Sequence, residues 1–197
     1  RFVIQGDIYF NRYRDFIAQV NVRVPNTENT DSIPFALFEK SGSTPYRLWT
    51  NSRSQVTNWG GSLGVTWKNN KATTIHSNIN FARLIRQQES DGLEDGFNTS
   101  PFIINATFRQ ADILRYFWIG AAFHWQKRFY WQSFLVDGHV PSYSTVDIVL
   151  GMRIPSFPGW NFKVGASNLL NRNYVTYLGG PRIGGVYSLT ATYNIFD

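Results

Sequence analysis

The sequence predicts an all-β fold, an antiparallel transmembrane β-barrel to which this chain contributes about eight strands. Segments of about 9 to 11 residues alternate between apolar and polar side chains, and this is the length of a tilted membrane-spanning strand. The connections between these segments alternate long and short, as in outer-membrane barrels with short periplasmic turns and long extracellular loops. Aromatic residues make up 17% of the chain, which favours girdles at two membrane interfaces over an ordinary soluble core.

Composition excludes several other classes. Hydrophobic residues make up 43% of the sequence, yet no run of about 18 apolar residues occurs, so a membrane-spanning helix is excluded. There are 0 Cys, which excludes disulfide frameworks and thiol chemistry. The formal charge is +6, but Lys and Arg are scattered singly, so no nucleic-acid partner is expected. Arg1 leads directly into strand-like sequence without a signal-peptide pattern.

The predicted strands are the segments in which apolar and polar residues alternate, so that odd and even positions (the two parities) differ in polarity. They lie near residues 1–11, 55–67, 71–86, 101–109, 115–128, 144–154, 160–168 and 186–196. The first strand leads into a long loop, Arg12 to Tyr46, with a short helical or strand segment near Phe16 to Val22. The second strand has Trp59 and Trp67 at the two ends of its apolar parity.

The remaining connections separate into short turns and long loops. Short turns are predicted at Lys68 to Asn70, Gln110 to Leu114 and Pro155 to Gly159, and long loops at Gln87 to Thr99, Lys127 to Ser142 and Asn171 to Gly185. The first of these long loops is acidic but lacks the ligand spacing of a calcium loop, so we interpret it as a solvated surface loop. In the last strand, Tyr187 is expected near the outer interface and Tyr193 near the inner one.

Ionisable residues fall on the polar parity of these strands. They are Asp7, His76, Arg109, His124, Asp147, Arg153 and Lys163. Burying so many ionisable groups in a packed soluble core would be very costly, whereas a wet or plugged lumen keeps them solvated or paired. The opposite parity carries no charge along its apolar bands, as contact with lipid requires.

Four motifs carry a resemblance to a known family. Their ranges are Tyr9 to Ile17 (aromatic-Asn-x-Tyr-x-Asp-x-Ile), Val140 to Asp147 (Pro-x-Tyr-x-x-x-Asp), Asn168 to Tyr174 (Asn-Leu-Phe-Asp-x-x-Tyr) and Gly179 to Arg182 (Gly-Pro-Arg). In the third motif, Leu170 and Asn171 stand in the places of Phe and Asp. Through these motifs the chain resembles the C-terminal part of the barrel of a TonB-dependent outer-membrane receptor. The family often ends on an aromatic residue, whereas here Phe196 is followed by Asp197.

The resemblance implies that the chain is the C-terminal third of a barrel of about 22 strands in the bacterial outer membrane. It implies uptake of a scarce nutrient such as a siderophore, corrinoid, glycan or peptide, with this chain forming part of the barrel wall and extracellular loops. The implied partners are outer-membrane lipid and lipopolysaccharide, the remainder of the barrel and its plug, TonB acting through that plug, and a surface lipoprotein. The plug domain is expected outside these residues.

No catalytic, cofactor or metal site is predicted, and we do not expect an enzyme. The histidines at 76, 124 and 139 are dispersed and are not tied to a serine or carboxylate arrangement. Ligand contacts are predicted from aromatic and cationic residues of the long loops, since aromatic faces suit rings and arginines suit carboxylates or phosphates. These candidates are Tyr46, Arg47, Trp49, Arg128, Trp131, Tyr174, Tyr177 and Arg182. The alternative is that they are girdle residues and contacts to lipopolysaccharide phosphates.

Two other architectures stay open at this level. A self-contained eight-stranded outer-membrane barrel with a structural or adhesive role requires hydrogen bonds between the first and last strands, because a sheet edge cannot be left open to lipid. A soluble sandwich or lipocalin-like ligand binder requires the apolar faces to fill one core.

Overall fold

The computed structural model describes residues 1–25, 43–53, 55–69, 72–86, 93, 96–133 and 136–195. Its strands are β1 (Phe2–Tyr13), β2 (Ile17–Pro25), β3 (Ser43–Asn51), β4 (Val56–Asn69), β5 (Thr73–Arg86), β6 (Phe102–Ile113), β7 (Phe117–Gln126), β8 (Phe129–Trp131), β9 (Gly138–Val140), β10 (Tyr143–Arg153), β11 (Trp160–Ser167) and β12 (Val186–Tyr193). The described residues contain no helix with the length and apolar character of a membrane span.

Eight strands form one antiparallel sheet in the order β1-β4-β5-β6-β7-β10-β11-β12. The pairs β2–β3 and β8–β9 form two separate hairpins within long connections. Because each strand of the large sheet pairs with the next one along the chain, successive connections alternate between its two ends. One end, the long-loop end, carries both hairpins and residues 96–101 and 168–185, and the short-turn end carries residue 72 and residues 114–116 and 154–159. The predicted all-β, antiparallel fold class is confirmed.

The strand register pairs the apolar residues of neighbouring strands, so they lie on the same face of the sheet. Leu63 pairs with Ile79, and Ile79 pairs with Ile104, so these three residues form one row on the same face. We call this row the midplane row and its side of the sheet the outer face. On the last strand, Leu189 pairs with Val164 on that face and is 78% exposed. So much exposed apolar surface indicates an apolar surrounding, which in a barrel is lipid.

Aromatic rings meet near both ends of the outer face. The ring pairs at the long-loop end are Trp59–Phe81 (5.2 Å between centroids) and Phe102–Trp125 (6.1 Å), and those at the short-turn end are Phe2–Trp67 (6.4 Å) and Trp160–Tyr193 (5.2 Å). Trp59 and Trp67 on β4 are eight residue steps apart, which is about 27 Å along the strand, or about 20 Å across a membrane when the strand is tilted. This separation suits the two girdles of an apolar band about 25 Å tall.

The opposite, inner face is polar and hydrogen-bonded between strands. Asn105 donates from Nδ2 to Asn78 Oδ1 (2.9 Å), and its Oδ1 lies 2.6 Å from Nδ1 of His124. We call these three side chains the inner-face ladder. Thr66 and His76 form a parallel contact of 2.8 Å on the same face. Polar groups that would be costly in hydrocarbon are therefore partnered or exposed to the space that this face encloses.

The two edge strands do not pair with each other. In the part of the chain that the structure describes, β1 pairs with β4 alone and β12 with β11 alone, and every residue of β1 and β12 is exposed. The self-contained barrel required hydrogen bonds between these two strands, so the open sheet does not support it. The described residues also bury only four hydrophobic side chains, Ala18, Val56, Phe129 and Val140, and so do not supply the core of a soluble sandwich.

Three local predictions differ from the structure. The long loop after the first strand holds a hairpin, since β2 and β3 pair over nine residues each, while 26–42 lie outside the described residues. The turn predicted at Gln110 to Leu114 lies at residues 114–116, because a register shift between Gln110 and Ile113 lengthens β6. Strand extension at Arg128 to Trp131 is instead the first half of the β8–β9 hairpin. Phe196 and Asp197, and most of the acidic loop, lie outside the described residues.

Candidate functional site

Two of the sequence motifs meet at the long-loop end, where β10 begins and β11 ends. The backbone N–H of Asn168 donates to Asp147 Oδ1 at 2.7 Å, and the backbone N–H of Leu169 donates to the carbonyl of Val146 at 2.8 Å. Asn168 is 4% exposed and has φ of 49°, a left-handed conformation that asparagine tolerates better than most residues. The motif aspartate therefore fixes the backbone where the last long loop leaves the sheet.

The motif asparagines continue this loop by bonding to its backbone. Asn168 Nδ2 donates to the carbonyl of Arg172 at 2.8 Å, and its Oδ1 accepts the N–H of Arg172 at 3.3 Å. Asn171 Oδ1 accepts the N–H of Gly185 at 2.7 Å, which brings the two ends of the loop together. Both asparagine side chains thus stabilise the loop, because their polar atoms form hydrogen bonds with its backbone.

Tyrosines of the same two motifs stack on each other. The rings of Tyr143 and Tyr174 lie 4.3 Å apart with an interplanar angle of 26°. Tyr174 also exchanges two backbone hydrogen bonds with Ile183, of 3.2 and 2.8 Å. Further along, Tyr177 lies over Gly180, where a Cβ would come within 2.8 Å of the ring. Aromatic stacking and a glycine that admits a ring therefore shape the segment that presents Arg182.

Aromatic contacts join this loop to the β8–β9 hairpin. The rings of Trp131 and Tyr177, two of the predicted ligand residues, lie 5.6 Å apart. On the hairpin itself, Tyr130 meets His139 edge-on at 5.1 Å. The Trp131 and Tyr177 rings therefore contact each other, which gives them a packing role beside any role in ligand contact.

A third connection is tied to the same hairpin. Asn98 Nδ2 donates to the carbonyl of Gln132 at 2.8 Å, and Asn98 Oδ1 accepts the N–H of Gln132 at 2.7 Å. Ser100 Oγ donates a hydrogen bond to the carbonyl of Lys127 at 2.8 Å. Residues 96–101, 127–133, 136–142 and 168–185 thus form one connected structure, which we call the loop assembly.

Two clefts open in the loop assembly. The first has a volume of about 670 Å³ and is lined by the cations Arg83, Lys127 and Arg128 together with Tyr130 and His139. The second has a volume of about 360 Å³ and is lined by Tyr143, Tyr174 and Arg182, among others, and again by His139. His139 therefore lies on both clefts and connects them.

The predicted ligand residues divide into three groups. Arg128 lines the first cleft, Tyr174 and Arg182 line the second, and Trp131 and Tyr177 pack against each other beside them. The other three candidates, Tyr46, Arg47 and Trp49, lie on β3 in a different connection. Tyr46 and Trp49 are 50% and 65% exposed there, and the side chain of Arg47 lies outside the described residues.

Among the arginine, lysine and histidine side chains that line the clefts, sequence reasoning missed three as ligand candidates. Lys127 adjoins the predicted Arg128, so its position alone could have indicated it. Arg83 reaches the first cleft from β5, and His139 from β9, and these long-range approaches leave no local pattern. Among the described residues, no three histidine, aspartate or glutamate side chains gather as a set of metal ligands.

Comparison with known proteins yields structural likeness alone. No protein-family model matches the chain, and no curated protein matches it. The FrpB iron transporter from Neisseria meningitidis (F3-3 variant) matches with a TM-score of 0.63 and 14% identity over 98% of this chain and 28% of that one. The copper transporter OprC matches with a TM-score of 0.65 and 12% identity, again over 98% and 28%. The siderophore receptor PirA from Acinetobacter baumannii matches with a TM-score of 0.61 and 16% identity over 98% and 29%.

At these identities the likeness shows the fold. Nearly all of this chain follows part of the barrel of these transporters and receptors, so the expected likeness to TonB-dependent receptors is confirmed at the level of fold. The chain spans less than a third of the length of the structures that it matches.

Proposed function

We propose that this chain forms part of the wall and the extracellular loops of an outer-membrane transporter that takes up a scarce nutrient with energy delivered by TonB. The observation that carries the proposal is the open eight-stranded sheet with an apolar outer face, a polar inner face and long loops at one end. Solved structures that share this fold over 98% of the chain are named as iron or copper transporters and as a siderophore receptor. These names support transport rather than catalysis.

In this mechanism the loop assembly and a plug capture the nutrient at the cell surface, and TonB then acts on the plug. The inner-face ladder and its neighbours offer amide, hydroxyl and imidazole groups to a wet passage. The outer face meets lipid through the midplane row, and Arg83 beside the Trp59 girdle suits a lipopolysaccharide phosphate. A siderophore, corrinoid, glycan or peptide is the proposed cargo, and a surface lipoprotein is a proposed further partner.

The test is nutrient uptake in cells that carry the intact protein. Deleting its gene is expected to abolish high-affinity uptake of one cargo from this set, and removing TonB is expected to have the same effect. Restoring the gene on a plasmid is the control, and it should return uptake only where TonB is present. If the uptake of all candidate nutrients stayed unchanged after TonB was removed, the proposal would be contradicted.

A further inference from the structure

Basic residues of the outer face lie at the aromatic girdle of the long-loop end and just beyond it. Arg83 pairs with Trp59, so it lies on the outer face. Lys127 follows Trp125 by two residues, and its backbone N–H continues the ladder of β7 by donating to the carbonyl of Phe102 at 2.9 Å. Aromatic girdles mark the depth at which the hydrocarbon ends and the lipid headgroups begin. Both cations therefore lie at headgroup depth on the side of the wall that meets lipid.

The first cleft brings a third cation to these two. It is lined by Arg83, Lys127 and Arg128, and all three residues are exposed. The described residues that line the cleft include no aspartate or glutamate. Three cations on one concave surface without a lining carboxylate create a positive potential that attracts a multiply charged anion. Guanidinium groups also bind two oxygens of a phosphate at once, which suits them to a phosphorylated ligand.

The backbone that carries these side chains is held in place. Asn98 bonds to both backbone groups of Gln132, and Ser100 bonds to the carbonyl of Lys127 at 2.8 Å. These bonds fix residues on either side of Arg128 before any ligand arrives, which reduces the entropy lost on binding. The cleft volume of about 670 Å³ falls within the range of small-molecule sites, so it is large enough for a lipid headgroup.

An apolar surface leads from the cleft toward the membrane midplane. Phe81 pairs with Phe102, and two residues further along each strand Ile79 pairs with Ile104 of the midplane row. At the cleft itself, the ring of Tyr130 is 50% exposed, and tyrosine suits a boundary that is apolar on one side and wet on the other. A phosphorylated headgroup that is followed by hydrocarbon chains matches both the charge of the cleft and this surface. A soluble anion matches the charge alone.

We propose that the first cleft binds the phosphorylated headgroup of lipopolysaccharide, whose acyl chains lie along the apolar surface toward the midplane row. Arg83 and Arg128 donate to phosphate oxygens, and Lys127 adds a point charge. The inference rests on the proposed function, in which the outer face meets lipid, and it assigns this lipid partner a site. A soluble phosphate offers the same charge without acyl chains, so the test separates these two sources.

The experiment measures equilibrium binding of lipid A, the membrane anchor of lipopolysaccharide, to the purified intact protein in a non-ionic detergent. The probe is lipid A with two phosphates, and the comparison lipid is the same molecule after enzymatic removal of both phosphates. The wild-type protein is expected to bind the phosphorylated lipid about tenfold or more tightly, with affinity that falls as salt rises. Inorganic phosphate in excess is expected to leave the lipid bound, because it lacks acyl chains.

A triple variant removes the charge of the cleft. Its changes are Arg83→Gln, Lys127→Gln and Arg128→Gln. This variant is expected to bind the phosphorylated lipid about tenfold or more weakly than the wild type and to lose the salt dependence. Lipid A should raise the unfolding temperature of the wild type, because a ligand that binds the folded state stabilises it, and the rise should be smaller in the variant.

A second triple variant is the matched control. It removes two arginines and one lysine from the inner face through the changes Arg109→Gln, Arg153→Gln and Lys163→Gln. There Arg109 pairs with Gly120, and Lys163 pairs with Gly151. The control has the same net charge as the first variant but keeps the cleft intact, so its lipid binding should equal that of the wild type. Heat-modifiable migration on gels verifies that both variants are folded.

The outcomes distinguish this inference from the proposed function. The inference is overturned if both forms of lipid A bind equally, if inorganic phosphate displaces the lipid, or if the two triple variants bind it equally well. TonB-dependent uptake in a protein that fails this binding test overturns the inference and leaves the proposed function standing. Lipid binding that depends on the cleft, without any TonB-dependent uptake, overturns the proposed function and leaves the assignment of the cleft.

Discussion

Asp147 and Asn168, 21 residues apart in the sequence, are joined by a hydrogen bond of 2.7 Å from the Asn168 backbone N–H to Asp147 Oδ1. This bond ties the start of the last long loop to β10. A charged acceptor contributes about 1.5 to 3 kcal/mol, and its loss leaves an N–H without a partner in a residue that is 4% exposed. The pair is therefore the attachment point of the loop that carries Tyr174 and Arg182.

Asp147→Ala is expected to let this loop open more often, because the Asn168 N–H loses its partner. In outer membranes, trypsin cleavage after Arg172 and Arg182 should accelerate about tenfold or more. Asp147→Asn keeps an acceptor oxygen at the same position and is the control, with a smaller acceleration expected. Equal cleavage rates in the wild type and Asp147→Ala would show that the bond does not hold the loop.

The stack of Tyr143 on Tyr174 should appear as a coupling energy. A double-mutant cycle with Tyr143→Leu and Tyr174→Leu is expected to give about 0.5 to 1.5 kcal/mol of interaction, read from the free energy of loop opening in the same protease assay. Tyr116, in the turn at the short-turn end, supplies the control pair with Tyr143. That control pair should be additive, and additivity of the Tyr143 and Tyr174 changes as well would contradict the prediction.

Gly151 is expected to be intolerant of a side chain. It pairs with Trp118 on the inner face, and a Cβ at this position would overlap the indole ring. Gly151→Ala must displace Trp118, whose ring lies 5.9 Å from the Arg109 guanidinium carbon, and should lower the free energy of unfolding by about 1 to 3 kcal/mol.

Urea unfolding of the refolded intact protein in lipid measures this loss. Gly64→Ala is the matched change in another strand, where the nearest atom to an added Cβ is 3.8 Å away. It should leave the unfolding midpoint almost unchanged. If Gly151→Ala and Gly64→Ala lowered the free energy of unfolding equally, the cause would be strand propensity and not the overlap with Trp118.

Neighbouring residues of β5 should respond oppositely to the same substitution. Ile79 lies in the midplane row on the outer face, so Ile79→Arg places a charge in hydrocarbon and should cost about 2 to 4 kcal/mol. Asn80 has the opposite parity, so Asn80→Arg extends into the lumen and should be tolerated. Heat-modifiable migration on gels reports assembly in the membrane, and equal assembly of both variants would contradict the assignment of faces.

The faces of the sheet could be read from the sequence because their cause is local. In a strand, successive side chains point to opposite sides, so the alternation of Leu63 with Ser62 and Gly64 reports two environments directly. The confirmed fold class depends on this alternation and on the sorting of the connections by length. The alternation also excludes a register slip of one residue, which would exchange the two faces, but it does not by itself fix the pairing partners.

Only some of the residues that line the clefts could be predicted from the sequence. Arg128, Tyr174 and Arg182 could be named because loop residues with rings or charge are typical of ligand contact, and each lines a cleft. Arg83 could not, because its place in the first cleft depends on how β5 lies beside the start of the β8–β9 hairpin. The strand segment expected near Phe16 to Val22 lies in β2, but its pairing with β3 was not predicted. The β8–β9 hairpin was missed because strands of three residues are too short to show an alternation.

The inner-face ladder has a consequence for how the strands join during membrane insertion. A β5 strand displaced by one residue against its neighbours would turn Asn78 toward hydrocarbon and break its 2.9 Å bond with Asn105. Each unmet polar group would then cost several kcal/mol, and the misaligned pairing would separate more readily than it extends. The side-chain amides across these strands therefore make misaligned strand pairing less stable than the native register while the barrel wall is still incomplete.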